Sequence, residues 1–244
     1  MEKPQTGACE WLFSPGGAGN FQKLAVGPPL AGLRFSDFNG DGKTDVFAVA
    51  AKPGGANQWL FSSGGAGNFQ NLAVGPPLAG LRFGDFNGDG KIDVFAVAAK
   101  PGGANQWLFS SGGAGNFQNL AVGPPLAGLR FGDFNGDGKT DVFAVAAKPG
   151  GVNQWLFSPG GAGNFQNLAV GPPLADLRFG DFDGDGKTDV FSVAAKPGGV
   201  NQWLSSPGGA GNFQNLAVGP PLAGLRFGDF DGDRRTDVFS VACR

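Results

Sequence analysis

The chain has 244 residues, a net charge of −2, 16% charged residues, 46 Gly, 18 Pro, and neither His nor Tyr. So balanced a composition offers no basic field for a phosphate backbone, and nucleic acid is excluded as an expected partner. No apolar run is long enough for a membrane-spanning helix, and the opening MEKPQTGACEW contains no signal-peptide core.

In chain order, two strand-like runs come first, EWLFS and FQKLAV within residues 10–26. A 48-residue sentence then repeats, opened by Asp37, Asp85, Asp133, Asp181 and Asp229 and marked at the same step by Trp11, Trp59, Trp107, Trp155 and Trp203. Residues 37–84 and 85–132 differ only at Thr44 versus Ile92. A period of this length signals stacked or ring-forming supersecondary units. One period holds LRFGDF (81–86), DVFAVAA (93–99), QWLFS (106–110) and FQNLAV (117–122), separated by Gly/Pro/Asn turns. Phe, Val and Trp enrichment makes these strands rather than helices.

The expected fold is all-β: one five-bladed β-propeller over residues 1–244 with four-stranded antiparallel blades. The blades fall at about 33–74, 81–122, 129–170, 177–218, and 225–244 joined with 10–26. The last run supplies two strands and the first run the other two, so these half-blades are expected to pair and close a monomeric ring. An open solenoid would need polar caps, and none is visible.

Cys9 and Cys243 occupy the positions of Asn57 and Ala51 in an internal repeat, on either side of the loop between second and third strands. A Cys9–Cys243 disulfide would staple the closed ring, contributing up to roughly 5 kcal/mol; two unrelated thiols are the alternative.

The loop D-F-N-G-D-G-K-T-D places oxygen donors at positions 1, 3, 5 and 9, with a backbone carbonyl at 7. Alternate oxygens of a tight loop suit Ca²⁺. The expected ligands are Asp37, Asn39, Asp41, Lys43 and Asp45; Asp85, Asn87, Asp89, Lys91 and Asp93; Asp133, Asn135, Asp137, Lys139 and Asp141; Asp181, Asp183, Asp185, Lys187 and Asp189; and Asp229, Asp231, Asp233, Arg235 and Asp237. Position 7 contributes its carbonyl, and the Lys43 side chain is expected to point into water. Up to five Ca²⁺ are expected, the 229–237 site weakest because Arg234 replaces the turn glycine. A turn making only Asx hydrogen bonds is the alternative.

The runs GDFNGDGKTDVFAVA and QWLFSSGGAGNF resemble the FG-GAP/VCBS-type repeat of integrin α-like propellers and related bacterial and fungal propellers, across essentially the whole chain. The resemblance implies that the acidic loop joins the first two strands of a blade and holds Ca²⁺. Some similar fungal lectins bind sugars between adjacent blades, whereas integrin propellers bind proteins.

Near-identical repeats without His suggest no catalytic constellation, so no enzymatic activity is expected. Multivalent glycan binding is, with Asn57, Gln58 and Trp59, Asn105, Gln106 and Trp107, Asn153, Gln154 and Trp155, and Asn201, Gln202 and Trp203 as stacking and amide groups. A core role for these tryptophans is the competing reading. Protein adhesion, or a designed or recently amplified repeat scaffold without a small ligand, is the alternative function. A secreted location is expected, with any signal peptide outside this chain.

Overall fold

The computed structural model describes residues 9–13, 21–51, 57–65, 68–99, 105–113, 117–148, 151–161 and 164–241. The chain divides into two compact units, Met1–Gly123 and Pro124–Arg244.

In the first unit, β1 (Cys9–Phe13) and β2 (Gln22–Gly27) form a two-stranded sheet. Two four-stranded antiparallel sheets follow. The first contains β3 (Leu33–Ser36), β4 (Asp45–Ala51), β5 (Asn57–Ser62) and β6 (Gln70–Gly75). The second contains β7 (Leu81–Gly84), β8 (Asp93–Ala99), β9 (Asn105–Ser110) and β10 (Gln118–Gly123). The second unit repeats the plan with β11 (Leu129–Gly132), β12 (Asp141–Lys148), β13 (Val152–Ser158) and β14 (Gln166–Gly171). Its next sheet holds β15 (Leu177–Gly180), β16 (Asp189–Lys196), β17 (Val200–Ser206) and β18 (Gln214–Gly219). It ends with the pair β19 (Leu225–Gly228) and β20 (Asp237–Ser240).

Each four-stranded sheet is a simple meander, and the predicted strands are recovered within about two residues. The first strand stops at Gly84 rather than Phe86 because Asp85 and Phe86 turn into the acidic loop. The GPPLAG corner forms a one-turn 3₁₀ helix, as at Leu126–Gly128, closed by Gly128 N–H on the Pro125 carbonyl at 2.8 Å.

The core lies between sheet faces. In the first unit Phe47 meets Phe83 edge-on at 5.4 Å and Trp59 meets Phe117 at 4.5 Å, so aromatic side chains tie one sheet to the next. In the second unit Phe143 and Phe179 repeat the contact at 5.4 Å.

The closed fifth blade is not formed among the described residues: β1 pairs with β2 and β19 with β20, in separate two-stranded sheets. In the other repeats a covalent hairpin sets the register between second and third strands, and here no such connection exists. Phe239 is accordingly 52% exposed, whereas its equivalents Phe47, Phe95, Phe143 and Phe191 are fully buried. Cys243, and with it the expected disulfide to Cys9, lies outside the described residues.

Candidate functional site

The five acidic loops, 37–45, 85–93, 133–141, 181–189 and 229–237, are called loops 1 to 5. Each joins the first two strands of its repeat. In loop 1 the Asp37 carboxylate accepts N–H bonds from Gly40 at 2.7 Å, Asp41 at 3.1 Å and Gly42 at 2.8 Å. Asn39 Oδ1 accepts from the Asp41 amide, and Asp41 Oδ1 from the Lys43 amide, both at 2.9 Å. Asx bonding of this kind folds the loop inward and fixes its side-chain oxygens against the backbone. Gly42 takes a left-handed φ of +81°, as the sixth position requires.

Position 9 does more than the sequence showed. Asp45 is fully buried. Its Oδ2 accepts from the Phe38 amide at 2.9 Å, and its Oδ1 accepts from the Gly64 amide, in the turn after β5, at 2.9 Å. The same spacing recurs from Asp93 to Gly112, Asp141 to Gly160 and Asp189 to Gly208. Only the fixed offset between the last aspartate and the third-strand glycine turn could have signalled this tie.

Electrostatics divide the carboxylates by depth. Burial pushes the Asp93, Asp141 and Asp189 carboxyls above the ordinary range, against the pull of their amide donors. Asp89 and Asp185 are held low, chiefly by the Lys91 and Lys187 amides. For Asp37 desolvation is the largest single influence and raises the carboxyl, but the Gly42, Gly40, Asp41 and Asn39 amides together hold it low.

Oxygens of Asp181, Asp183 and Asp189 lie within 4.8 Å of one another, as do those of Asp229, Asp231 and Asp237. Each group could hold a metal. Loops 1 to 3 carry Asn at position 3, and its oxygen accepts the same amide bond, 2.9 Å for Asn39 against 3.0 Å for Asp183. An all-oxygen set of carboxylates and amide carbonyls is the chemistry a hard cation takes, and carboxylates already accepting N–H bonds retain lone pairs for one. Asp185 and Asp233, expected as fifth-position ligands, lie outside these two groups and pair with Lys187 at 3.2 Å and Arg235 at 3.7 Å.

Lys43 is exposed, but position-7 side chains of later loops take another course. Lys91 packs across Gly40 of the preceding loop and Lys187 across Gly136, so neither simply extends into water. In loop 5, Arg234 adopts a φ of +72° and keeps the N–H bond to Asp229 at 3.0 Å, so the loop holds its form despite the lost glycine.

The Asn-Gln-Trp groups sit elsewhere. Trp59, Trp107 and Trp155 are fully buried, and Gln58, Gln106, Gln154 and Gln202 nearly so. Trp59 Nε1 donates to the Pro76 carbonyl, and Gln106 Nε2 to the Ala121 carbonyl. Asn57, Asn105, Asn153 and Asn201 are half-buried. The expectation that these indoles stack on a ligand is therefore corrected for Trp59, Trp107 and Trp155, which are fully buried among Phe side chains and neighbouring strands, while Trp203 is half-buried.

The first unit instead offers a cleft of about 310 Å³ between its two four-stranded sheets. Phe38, Phe61 and Leu72 supply apolar surface, and Asn39, Gln70 and Ser111 supply neutral hydrogen-bonding groups. Lys91 borders the same space.

A family model for the FG-GAP-like repeat matches residues 37–96, 85–144, 133–192 and 181–240. The chain belongs to the FG-GAP-like repeat family. Each match begins at position 1 of an acidic loop and ends in the second strand of the following repeat. Among curated proteins none matches the chain. Similar solved structures include the exotype rhamnogalacturonan lyase YesX, with 13% identity and a TM-score of 0.41, covering 86% of this chain and 55% of that one. Bacillus licheniformis rhamnogalacturonan lyase PL11 gives 13% identity, a TM-score of 0.42, and coverage of 86% and 54%. Polysaccharide lyase Uly1 gives 12%, 0.39, and 90% and 58%. The FG-GAP-like chain thus spans a little over half the length of each. All three are titled as enzymes, so the expectation that this chain is not an enzyme is withdrawn. At these TM-scores the likeness assigns it no activity or ligand.

Proposed function

We propose that this chain is a calcium-stabilised, multivalent repeat module that binds glycans in clefts between neighbouring sheets. The cleft formed by Phe38, Asn39, Phe61, Gln70, Leu72 and Ser111 carries the reading. It is an open depression of about 310 Å³, at the small end of the range for ligand pockets, about 300–1,000 Å³. Aromatic surface suits the C–H face of a sugar ring, while amide and hydroxyl groups match its hydroxyls. The same residue types recur in the second unit at Phe134, Asn135, Phe157, Gln166 and Leu168, with Pro207 replacing Ser111. Weak sites repeated in this way would sum through avidity.

Calcium would be held by the oxygens at positions 1, 3 and 9 and the position-7 carbonyl, with position 5 drawn in where its ion pair opens. Bound there, it supplies positive charge that offsets the clustered carboxylates. An extracellular setting suits such sites, since calcium-binding modules are common there.

A second reading, protein adhesion, rests on a different observation. Val74, Val122, Val170 and Val218 stand at one repeat position on the outermost strands and are 58–64% exposed. A glycan array probed with calcium present separates the two. Sugar binding that is weakened by Gln70→Ala supports the cleft. No glycan signal, or binding untouched by cleft variants, would remove it.

A further inference from the structure

Within each unit, consecutive acidic loops are joined by one backbone bond. The Thr188 amide donates to the Asp133 carbonyl and the Thr236 amide to the Asp181 carbonyl, both at 2.6 Å. The Ile92 amide donates to the Asp37 carbonyl at 3.4 Å. In every case the donor is position 8 of the later loop and the acceptor is position 1 of the earlier one.

The peptide unit that carries the Thr188 N–H also carries the Lys187 carbonyl, the backbone oxygen assigned to loop 4. In a trans peptide these two groups point to opposite sides. Asp133 therefore serves two loops. Its carboxylate gathers the amides of Gly136, Asp137 and Gly138 in loop 3, and its main-chain carbonyl holds the peptide that offers loop 4 its backbone ligand. Lys187 adds a second tie by lying across Gly136.

We propose that calcium filling is positively coupled between consecutive loops of a unit through this shared peptide, each filled loop raising the affinity of the next. The inference rests on the calcium reading above. Filling loop 3 fixes Asp133, so less conformational freedom is left for loop 4 to lose. Ligation of the Lys187 carbonyl polarises its peptide and strengthens the N–H bond back to Asp133. The coupling must then be reciprocal.

The two units should differ in strength. Gly132 stands so close to Thr188 that a Cβ there would lie 2.5 Å from its hydroxyl. The equivalents of this pair in the first unit are Ser36 and Ile92, and there the inter-loop bond is 0.8 Å longer, 3.4 Å against 2.6 Å. A longer bond transmits less.

The test is a calcium titration of the metal-stripped full chain, followed by calorimetry and by the amide resonances of Gly186 and Thr188. Asp137→Asn takes one negative charge out of loop 3, weakening its hold on calcium, and leaves every loop 4 residue in place. Coupling predicts that this variant lowers the affinity of loop 4 about fivefold or more and speeds hydrogen exchange at the Thr188 amide. The double variant Ser36→Gly with Ile92→Thr, which recreates the second unit's pair, is expected to steepen filling of loops 1 and 2. Were Asp137→Asn to fold poorly, that gain would decide the matter. Loop 4 affinity unchanged in Asp137→Asn, or filling of loops 1 and 2 unchanged in the double variant, overturns the coupling. A wild-type chain that takes up no calcium overturns the calcium reading instead.

Discussion

The indole of Trp59 lies directly over Gly75, so closely that a Cβ on that glycine would sit 2.8 Å from the ring. Trp59 Nε1 reaches past it to the Pro76 carbonyl at 3.1 Å, clamping the end of β6 onto β5. Trp11 and Gly27, Trp107 and Gly123, Trp155 and Gly171 repeat the approach. Gly75→Ala should force the ring or strand aside, at a cost of about 1–3 kcal/mol from overpacking. Urea unfolding measures it, and a loss under a few tenths of a kcal/mol would show that the ring has room to move.

This pair also shows what could be read in advance. Strand positions followed from the alternation of Phe- and Val-rich runs with Gly/Pro turns, because that pattern is local. The loop aspartates were legible for the same reason: their oxygens are spaced along one short segment. Trp59 was legible only as a choice between core and surface. Its burial depends on Gly75, sixteen residues away, and on Phe117 from the next sheet. The cleft was hidden more deeply, since Asn39 and Ser111 line it from two different repeats. Ring closure is not found among the described residues, and the pairing of half-blades rests on no local signal beyond strand propensity.

Ser192 replaces an alanine found at 48, 96 and 144, and it faces the interior of its sheet, 1% exposed. Its Oγ is buried without a hydrogen-bond partner. An unsatisfied buried hydroxyl costs about 1–3 kcal/mol. Ser192→Ala should therefore stabilise the protein by about 1 kcal/mol or more, raising the urea midpoint with an unchanged slope. A destabilised variant would mean that the hydroxyl is satisfied in solution, for instance by water.

The pH dependence of stability should change sign with calcium. Asp93, Asp141 and Asp189 are raised above the ordinary carboxyl value of 3.8. In the metal-free protein the folded state then holds its protons more tightly than the unfolded chain. Their contribution is complete below 3.8 and is lost as pH rises through the raised values. Asp37, Asp89 and Asp185 are lowered, so their titration falls below that window. Calcium favours the charged form and should reverse the slope. Melting temperatures taken from about pH 4 upward, with and without calcium, check this against linkage; parallel curves would contradict it.

Arg234 is the one non-glycine residue with positive φ among the described residues, and its equivalents Gly42, Gly90, Gly138 and Gly186 share that conformation at +79° to +82°. A side chain in this region costs roughly 1–2 kcal/mol. Glycine would relieve that strain but give the unfolded chain more freedom, which offsets about 0.4–1 kcal/mol. Arg234→Gly should thus stabilise the protein by a net of about 0–1.6 kcal/mol. It also removes one positive charge from loop 5, so calcium affinity there should rise toward that of the other loops. The two effects are measured separately, by urea unfolding in metal-free buffer and by calcium titration. Stability that falls in metal-free buffer would show that the Arg234 side chain makes a compensating contact, while unchanged calcium affinity would show that its charge is screened from the loop.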